Sequence, residues 1–107
     1  MFKKHKYRAQ VTWTDGIRFD SKAEAEFYQM VKGKIQELQP KVYLTRARIL
    51  YKPDFLMNDR TYIDVKGVET PVFRLKKRLW KLYGPGPLEI WARSGKNFKM
   101  KERIEKL

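Results

Sequence analysis

Two aspartates and a lysine stand out in this sequence because they lie in segments with the composition of β-strands. Asp54 lies within the largely apolar segment 51–57, and Asp64 lies within the segment 61–66. Lys66, two residues after Asp64, is on the same face of a strand because side chains alternate between faces. Unpaired charges are costly to bury, so their presence in such segments needs a reason. One such reason is metal-assisted cleavage of a phosphodiester, which uses carboxylates and a lysine.

The loop between these segments decides whether both aspartates lie on one face of the sheet. A three-residue loop, Asn58-Asp59-Arg60, sets Asp54 opposite Asp64, whereas a two-residue loop sends them to opposite faces. Like charges across a ladder repel unless a divalent cation lies between them. Carboxylate oxygens, in a chain with no cysteine and one histidine, suit Mg²⁺ or Mn²⁺ better than zinc. The alternative for either aspartate is an ordinary ion pair with a surface lysine.

Composition narrows the class of protein. The 107 residues predict one domain, 1–107, and an apolar fraction of 42% argues against disorder. The lack of cysteine fits a reducing cytoplasm. The N-terminus lacks the apolar run of a signal peptide, and no segment approaches the roughly 20 apolar residues that cross a bilayer. We therefore expect a soluble cytoplasmic protein with no membrane partner.

The charge points to a polyanionic partner. Lysine and arginine total 25 against 12 acidic residues, which gives a net charge of +13. Such an excess on a small domain attracts nucleic acid or anionic membrane. It does not indicate catalysis, because small basic binding proteins have a similar balance.

The predicted fold class is α/β, with a mixed central β-sheet flanked by helices. Alternating apolar residues at 7–19 predict a hairpin, for which we prefer a three-residue loop that pairs Trp13 with Ile17 over a two-residue Asp15-Gly16 loop. Trp13, Trp80 and Trp91 fit core positions better than base-stacking ones. The other predicted elements are a helix at 22–38, strands at 42–45, 49–57, 61–66 and 88–92, a helix at 71–83, and a short terminal helix carrying Met100, Ile104 and Leu107.

The first helix brings an acid toward the predicted site. Ser21 is a natural N-cap, and Glu24 completes a capping-box pattern, which by itself would explain that glutamate. Glu24 also falls at the edge of the apolar stripe, whereas Glu26 lies farther from its centre and is the second choice. Gly33 is an awkward interior residue, so the helix is strained or ends early there.

The second helix separates apolar from basic residues. Thr70 is its cap and Pro71 its first residue. Lys76 points into the apolar sector, either toward the site or along the helix edge. The predicted buried face is Val72, Leu75, Leu79, Leu82 and Tyr83, with Phe73 and Trp80 at its margin. The opposite face, Arg74, Lys77, Arg78 and Lys81, is a candidate nucleic-acid-binding surface.

The pattern Pro53-Asp54, nine further residues, then Asp64-Val65-Lys66 resembles the PD-(D/E)XK nuclease superfamily. The usual fourth element of that superfamily is an acid in a Ser-x-x-Glu turn on the preceding helix. Residues 21–24 match that turn in place and spacing, and the resemblance covers about residues 19–92.

Two longer stretches of sequence around these motifs indicate a narrower resemblance. They look like stretches in small phage-borne nucleases, which are commonly likened to the Holliday-junction resolvases of DNA recombination. Such enzymes often act as homodimers, and the apolar residues of the C-terminal segment are a candidate interface. The matching residues are 19–24 and 64–67, with Thr70 and Lys76 following.

The resemblance implies a restriction-endonuclease-like core and a Mg²⁺-dependent (or Mn²⁺-dependent) endonuclease that cuts DNA, with branched or structured DNA as a candidate substrate. It implies that Asp54 and Asp64 bind the metal, with the Val65 backbone carbonyl as a further ligand. Lys66 would position or help deprotonate the attacking water. Glu24 would complete the metal shell through water or orient Lys66. If phage-encoded, the enzyme would act in the bacterial host cell.

Two alternative hypotheses explain the positive charge without catalysis. One is a non-catalytic nucleic-acid-binding module on the same fold. The other is a basic ribosome-associated or RNA-binding protein, which gives no reason for acids that point inward.

Overall fold

A computed structural model describes residues 10–107, within which the chain forms nine strands and two α-helices. A short 3₁₀ turn, Lys32–Lys34, follows the first helix. The elements in order are β1 (Thr12–Thr14), β2 (Ile17–Phe19), α1 (Lys22–Val31), β3 (Ile35–Leu38), β4 (Val42–Leu44), β5 (Ile49–Tyr51), β6 (Phe55–Met57), β7 (Tyr62–Val65), α2 (Pro71–Tyr83), β8 (Leu88–Ser94) and β9 (Asn97–Ile104).

A mixed five-stranded sheet forms the centre of the fold. Its strand order is β3-β6-β7-β8-β9, with β7 and β8 parallel and the other neighbours antiparallel. The hairpins β1–β2 and β4–β5 form separate two-stranded ladders. The predicted α/β class with a mixed sheet is confirmed. Neither helix of residues 10–107 is long and apolar enough to span a membrane.

Side chains that alternate along the central strands form two apolar clusters, one on each face of the sheet. Phe55 and Ile63 pack with Phe27 of α1, and Phe27 stacks on Phe55 with ring centroids 5.7 Å apart. Leu56 and Tyr62 pack with Trp80 of α2 on the other face. The helices therefore cover opposite faces of the sheet.

The β6–β7 hairpin has the predicted register. Phe55 lies opposite Ile63, and the three-residue loop 58–60 follows β6. Arg60, the last residue of this loop, has a left-handed backbone conformation with φ of 75°. Pro53, which has no backbone N–H to donate to a ladder, interrupts the strand predicted at 49–57 and divides it into β5 and β6.

The β1–β2 hairpin has the rejected two-residue loop. Thr14 pairs with Ile17, and Trp13 pairs with Arg18. Asp15 and Gly16 both take positive φ, 52° and 75°, as a tight type I′ turn requires. The predicted core position of Trp13 is therefore wrong, since this side chain is 66% exposed. The part of the predicted hairpin at residues 7–9 lies outside the described residues.

The first helix ends earlier than the predicted 22–38. The chain leaves α1 at Val31, passes through the 3₁₀ turn that contains Gly33, and becomes strand β3. β3 pairs with β6 at the edge of the sheet, and Leu38 lies opposite Phe55. Ile35 and Leu38 are three residues apart, which is a helical spacing, and a register shift between Ile35 and Glu37 lets both pack on the same face of the sheet.

The bounds predicted for the second helix are confirmed, but its predicted buried face is wrong. Thr70 accepts a hydrogen bond from the Phe73 N–H at 3.1 Å, as an N-cap does. Phe73 and Trp80 are the buried residues of α2. The residues predicted to be inside are largely on the surface: Val72, Leu75, Leu82 and Tyr83 are exposed, and Leu79 is partly buried.

The C-terminal segment is a strand rather than the predicted helix. β9 pairs with β8 along its whole length, and β8 itself extends past the predicted limit of 92 to Ser94. Ile104 is buried in the cluster beneath α2. Met100 and Ile104 therefore do not form the apolar helix face that was the candidate dimer interface.

Gly84 ends α2 in close contact with Trp80 and provides a test of this packing. A Cβ on Gly84 would lie 2.6 Å or less from three indole atoms. The indole is fully buried, and its N–H donates to the Gly86 carbonyl at 2.7 Å, so the ring has little freedom to move. We expect Gly84→Ala to lower the free energy of unfolding in urea by about 1–3 kcal/mol, the usual cost of overpacking.

The matched control for this prediction is Gly33→Ala. Nothing lies within 4 Å of a Cβ built on Gly33, and its φ is not positive. Its stability should be unchanged or slightly higher. Equal losses in the two variants would contradict the packing described around Trp80.

Candidate active site

A cavity of about 510 Å³ lies where β7 ends, between the first turns of α1 and α2. Glu24, Asp54, Asp64, Lys66 and Lys76 all line it, so the five side chains predicted to point inward share one space. The other lining residues are Asp20, Gln39, Leu50, Tyr51, Lys52, Thr70, Val72 and Phe73.

Asp64 is the most deeply placed of the acids. It is 2% exposed, in the buried strand β7. The Tyr51 hydroxyl donates a hydrogen bond to Asp64 Oδ2. The Tyr51 ring is itself fixed, because it packs edge-on against Trp80 with centroids 5.7 Å apart. A rigid donor thus holds one oxygen of this carboxylate.

Asp54 reaches the cavity because the chain departs from strand geometry around Pro53. Its backbone carbonyl accepts from the Gln39 N–H at 2.9 Å, and its Oδ2 accepts from the Val65 N–H at 2.7 Å. These two bonds fix the residue at both its backbone and its side chain. Asp54 therefore lies beside Asp64 although it belongs to no strand.

Glu24 lies in the first turn of α1. Ser21 caps this helix, and its Oγ accepts from the Glu24 N–H at 3.1 Å and lies 3.3 Å from Glu24 Oε1. The glutamate is therefore part of the cap and also faces the cavity. Glu26 instead pairs with Arg93 and does not line this cavity.

The two lysines approach from the α2 side. Lys66 Nζ lies 3.9 Å from Asp64 Oδ1 and 4.7 Å from the centre of the Phe73 ring. Its backbone is fixed, because the Lys66 N–H donates to the Trp91 carbonyl of β8 at 2.8 Å. Lys76 Nζ lies 5.9 Å from the centre of the Tyr51 ring.

Burial dominates the electrostatics of the three acids. It raises the pKa of Glu24, of Asp54 and of Asp64 above the ordinary carboxyl values. The charges of Asp64 and Glu24 raise the pKa of Asp54 further, although the Val65 N–H opposes this. The charge of Lys66 and the Tyr51 hydrogen bond oppose the rise at Asp64. The ionised forms of these three carboxyl groups are therefore less favourable in the cavity than in water.

This donor set fits Mg²⁺ or Mn²⁺ through two carboxylates rather than through a closed cage. Within residues 10–107, no three His, Cys, Asp or Glu side chains form a group that could hold a metal ion. Mg²⁺ retains several waters and commonly takes only one or two protein carboxylates. The hydrogen bonds from Val65 and Tyr51 engage the Oδ2 atoms of Asp54 and Asp64. Each carboxylate keeps acceptor capacity that a cation could use, because one hydrogen bond occupies only part of its lone pairs.

The basic face of α2 lies apart from this cavity. It lines a smaller cavity of about 220 Å³ between α2 and β9. Lys77 pairs there with Glu69 at 2.9 Å and with Glu102 at 2.7 Å, so its charge is already partly neutralised. The four basic residues of this face are Arg74, Lys77, Arg78 and Lys81, and of the predicted nucleic-acid-binding residues Lys76 alone lines the larger cavity.

Sequence reasoning missed Tyr51 as a member of the site. Tyr51 has the alternation of a core residue on β5, and it does belong to the core cluster beneath α2. Its hydroxyl was the one available signal, because a buried tyrosine O–H needs a hydrogen-bond partner. Because Tyr51 is three residues before Asp54, the acids were the expected partners of this hydroxyl.

Residues 4–99 match the family described as "Protein of unknown function (DUF1064)", and the chain belongs to that family. No curated protein and no solved structure matches the chain. The function therefore has to be argued from the chemistry of the cavity.

Asp54→Asn tests the cost of the buried carboxylates. Because burial raises the Asp54 pKa, the folded protein holds this proton more tightly than the unfolded chain, whose ordinary value is 3.8. The ionised form therefore costs stability at neutral and alkaline pH, and this cost vanishes below about pH 3.8. In EDTA at pH 8 we expect Asp54→Asn to raise the melting temperature, by roughly 4–8 °C per kcal/mol recovered.

The gain from Asp54→Asn should shrink steadily as the pH falls toward 4, as followed by circular dichroism melts. Asp59→Asn is the matched control, because Asp59 is an exposed loop aspartate that accepts from the Thr61 N–H at 3.0 Å. That hydrogen bond lowers the pKa of Asp59, so its replacement should bring no gain at pH 8. A gain at Asp54 that does not depend on pH would show that the carboxylate charge is not its cause.

Proposed function

We propose that this protein is a metal-dependent DNA endonuclease of the PD-(D/E)XK superfamily, with a restriction-endonuclease-like core. The observation that carries the proposal is the single cavity that Glu24, Asp54, Asp64 and Lys66 share. Asp64 is buried and Asp54 and Glu24 are partly buried, and burial raises the pKa of all three. Their ionised forms are therefore unfavourable in the empty site, and a divalent cation would stabilise them. A purely structural role accounts for Glu24 as part of the Ser21 cap, but it gives no reason for Asp54 to lie beside Asp64.

In this proposal Asp54 and Asp64 hold Mg²⁺ or Mn²⁺, with the Val65 carbonyl as a further ligand. The bound cation would supply a water of lowered pKa and would stabilise charge on the phosphate. Lys66 lies close enough to Asp64 to orient that water and to offset charge on the attacked phosphate. Glu24 would accept hydrogen bonds from waters bound to the cation, or would orient Lys66.

The proposed substrate is DNA, including branched or structured DNA. The net charge of +13 favours a polyanion, and Lys66 and Lys76 place positive charge at the cavity itself. An exposed backbone phosphate is the group that a water activated at this site would attack, with its bond to one bridging sugar oxygen broken and the two lysines offsetting its charge. The resemblance to small phage-borne nucleases further implies a phage-encoded protein that acts in DNA recombination as a homodimer.

The second candidate is a non-catalytic nucleic-acid-binding module. It is favoured by the basic cavity between α2 and β9, which lies apart from the acids and needs no metal to attract phosphate. Both candidates predict DNA binding that weakens as salt rises. Cleavage separates them.

Asp64→Asn and Lys66→Ala should each reduce DNA cleavage by about 10²-fold or more, because each removes a group that acts at the reacting phosphate. Cleavage of plasmid, linear and four-way-junction DNA is measured with Mg²⁺, Mn²⁺ or EDTA. Binding of the same DNA in EDTA should remain within a few fold. If the unaltered protein cuts none of these substrates with either metal, the binding module becomes the better description.

Glu24→Gln and Glu26→Gln form a matched pair on one helix. Glu24 lines the cavity, whereas Glu26 pairs with Arg93 outside it. We expect Glu24→Gln to lower kcat by about 10-fold or more and to raise the Mg²⁺ concentration for half-maximal cleavage. Glu26→Gln should leave both quantities near their original values. Equal effects of the two substitutions would remove Glu24 from the proposed machinery.

A further inference from the structure

Trp13 is a large aromatic side chain that the fold leaves on the surface. Of the three tryptophans, Trp80 is buried and Trp91 is partly buried, whereas Trp13 is 66% exposed. Trp13 lies directly opposite Arg18 in the β1–β2 ladder, so the two side chains share one face of the hairpin. The same face therefore offers an indole ring and a guanidinium.

The hairpin that carries Trp13 is held firmly against α1. Its turn residue Asp15 accepts from the Tyr28 hydroxyl at 3.0 Å and pairs with Lys32 at 3.1 Å. Phe19, at the end of β2, is buried and lies 5.1 Å from the Tyr28 ring between centroids. These contacts leave Trp13 on a rigid support, which lowers the entropy cost of binding a ligand on it.

A groove joins this hairpin to the candidate active site. A cavity of about 140 Å³ is lined by Arg18 of β2 and by Glu24, Gln39 and Asp54. The last three residues also line the larger cavity. Arg18 lines this smaller cavity, and Trp13, which itself lines neither of the two cavities, lies directly opposite Arg18 on the neighbouring strand.

We propose that Trp13 is a stacking platform for an unpaired nucleobase of the DNA that occupies the candidate active site. The proposal rests on the proposed function, and it deepens that function by naming the substrate class: DNA with an unstacked base near the cleaved phosphate. Every base offers a π-face to an indole, whereas bases inside a continuous duplex are already stacked. Arg18 pairs with Asp20 at 2.6 Å, and a phosphate of the same strand would compete for that guanidinium.

A nucleic acid suits this surface better than a second copy of the chain. Each copy carries a net charge of +13, so an interface with Arg18 on both sides would bring like charges together. A DNA strand instead supplies both the flat base for Trp13 and the negative charge for its surroundings. DNA is therefore the proposed occupant of this surface, and self-association is one outcome of the test.

The test compares variants for binding in EDTA to a short single-stranded oligonucleotide, a four-way junction and a continuous duplex. Trp13→Ala should weaken single-strand and junction binding by about 5- to 150-fold, the range expected for loss of one aromatic stacking partner. Duplex binding should change less than 3-fold. Trp13→Phe should retain most of the affinity. Tyr83→Ala, at an exposed aromatic residue of α2, is the control and should leave all three affinities unchanged.

Fluorescence gives a second readout. Saturating single-stranded DNA should quench the tryptophan emission of the unaltered protein, and this quenching should disappear in Trp13→Phe, which retains Trp80 and Trp91. Equal loss of single-strand and duplex binding in Trp13→Ala, or no quenching at saturation, would overturn the stacking role. A change of oligomeric state in Trp13→Ala by sedimentation would also overturn it, in favour of a protein contact.

The two proposals fail differently. If the protein cuts DNA but Trp13→Ala alters neither affinity nor substrate preference, the stacking platform is wrong and the endonuclease stands. If no DNA binds at all, the proposed function fails first. Thermal melts of Trp13→Ala identify unfolding as a separate cause, and an exposed residue should cost little stability.

Discussion

The structure around the cavity depends on keeping the charge of Asp64 inside a buried strand. An isolated carboxylate in such a place is unfavourable, so neighbouring groups must share its charge. The Tyr51 hydroxyl and the Lys66 ammonium do so directly. Tyr51 can reach Asp64 only because the β4–β5 hairpin folds over the α2 side of the sheet, with Val42 and Leu44 in the same core cluster. The core packing and the candidate chemistry are therefore coupled through one hydrogen bond.

Much of the site was predictable because its residues are close in sequence or follow strict periods. The three-residue loop at 58–60 fixes the register of β6 against β7, and strand alternation then sets the face of Asp64. Asp54 lies just outside that ladder and is held beside Asp64 by the hydrogen bond from the Val65 N–H. The Ser21 cap fixes the start of α1, and hence the position of Glu24. These local rules held because nothing distant in the chain competes with them.

The failures occurred where distant contacts decide the outcome. The apolar residues at 35–38 fit a helix by spacing, but an open edge on β6 made them a strand. The exposed apolar side of α2 also followed the helical period, and only the positions of β8, β9 and the β4–β5 hairpin determined which side was covered. Trp13 was misplaced by a one-residue difference in loop length, which moves a side chain to the opposite face of a strand. None of these partners can be read from the segment itself.

Both helices begin at the candidate active site, and this has a consequence for its electrostatic field. The first turn of α1 contributes Glu24, and Thr70, the cap of α2, lines the same cavity. The peptide dipoles of a helix sum to a partial positive charge at its N-terminus. Part of the positive potential at this cavity therefore comes from the backbone, which neither titrates nor disappears when a lysine is replaced. An anion that enters the cavity meets this field whatever the protonation state of the side chains around it.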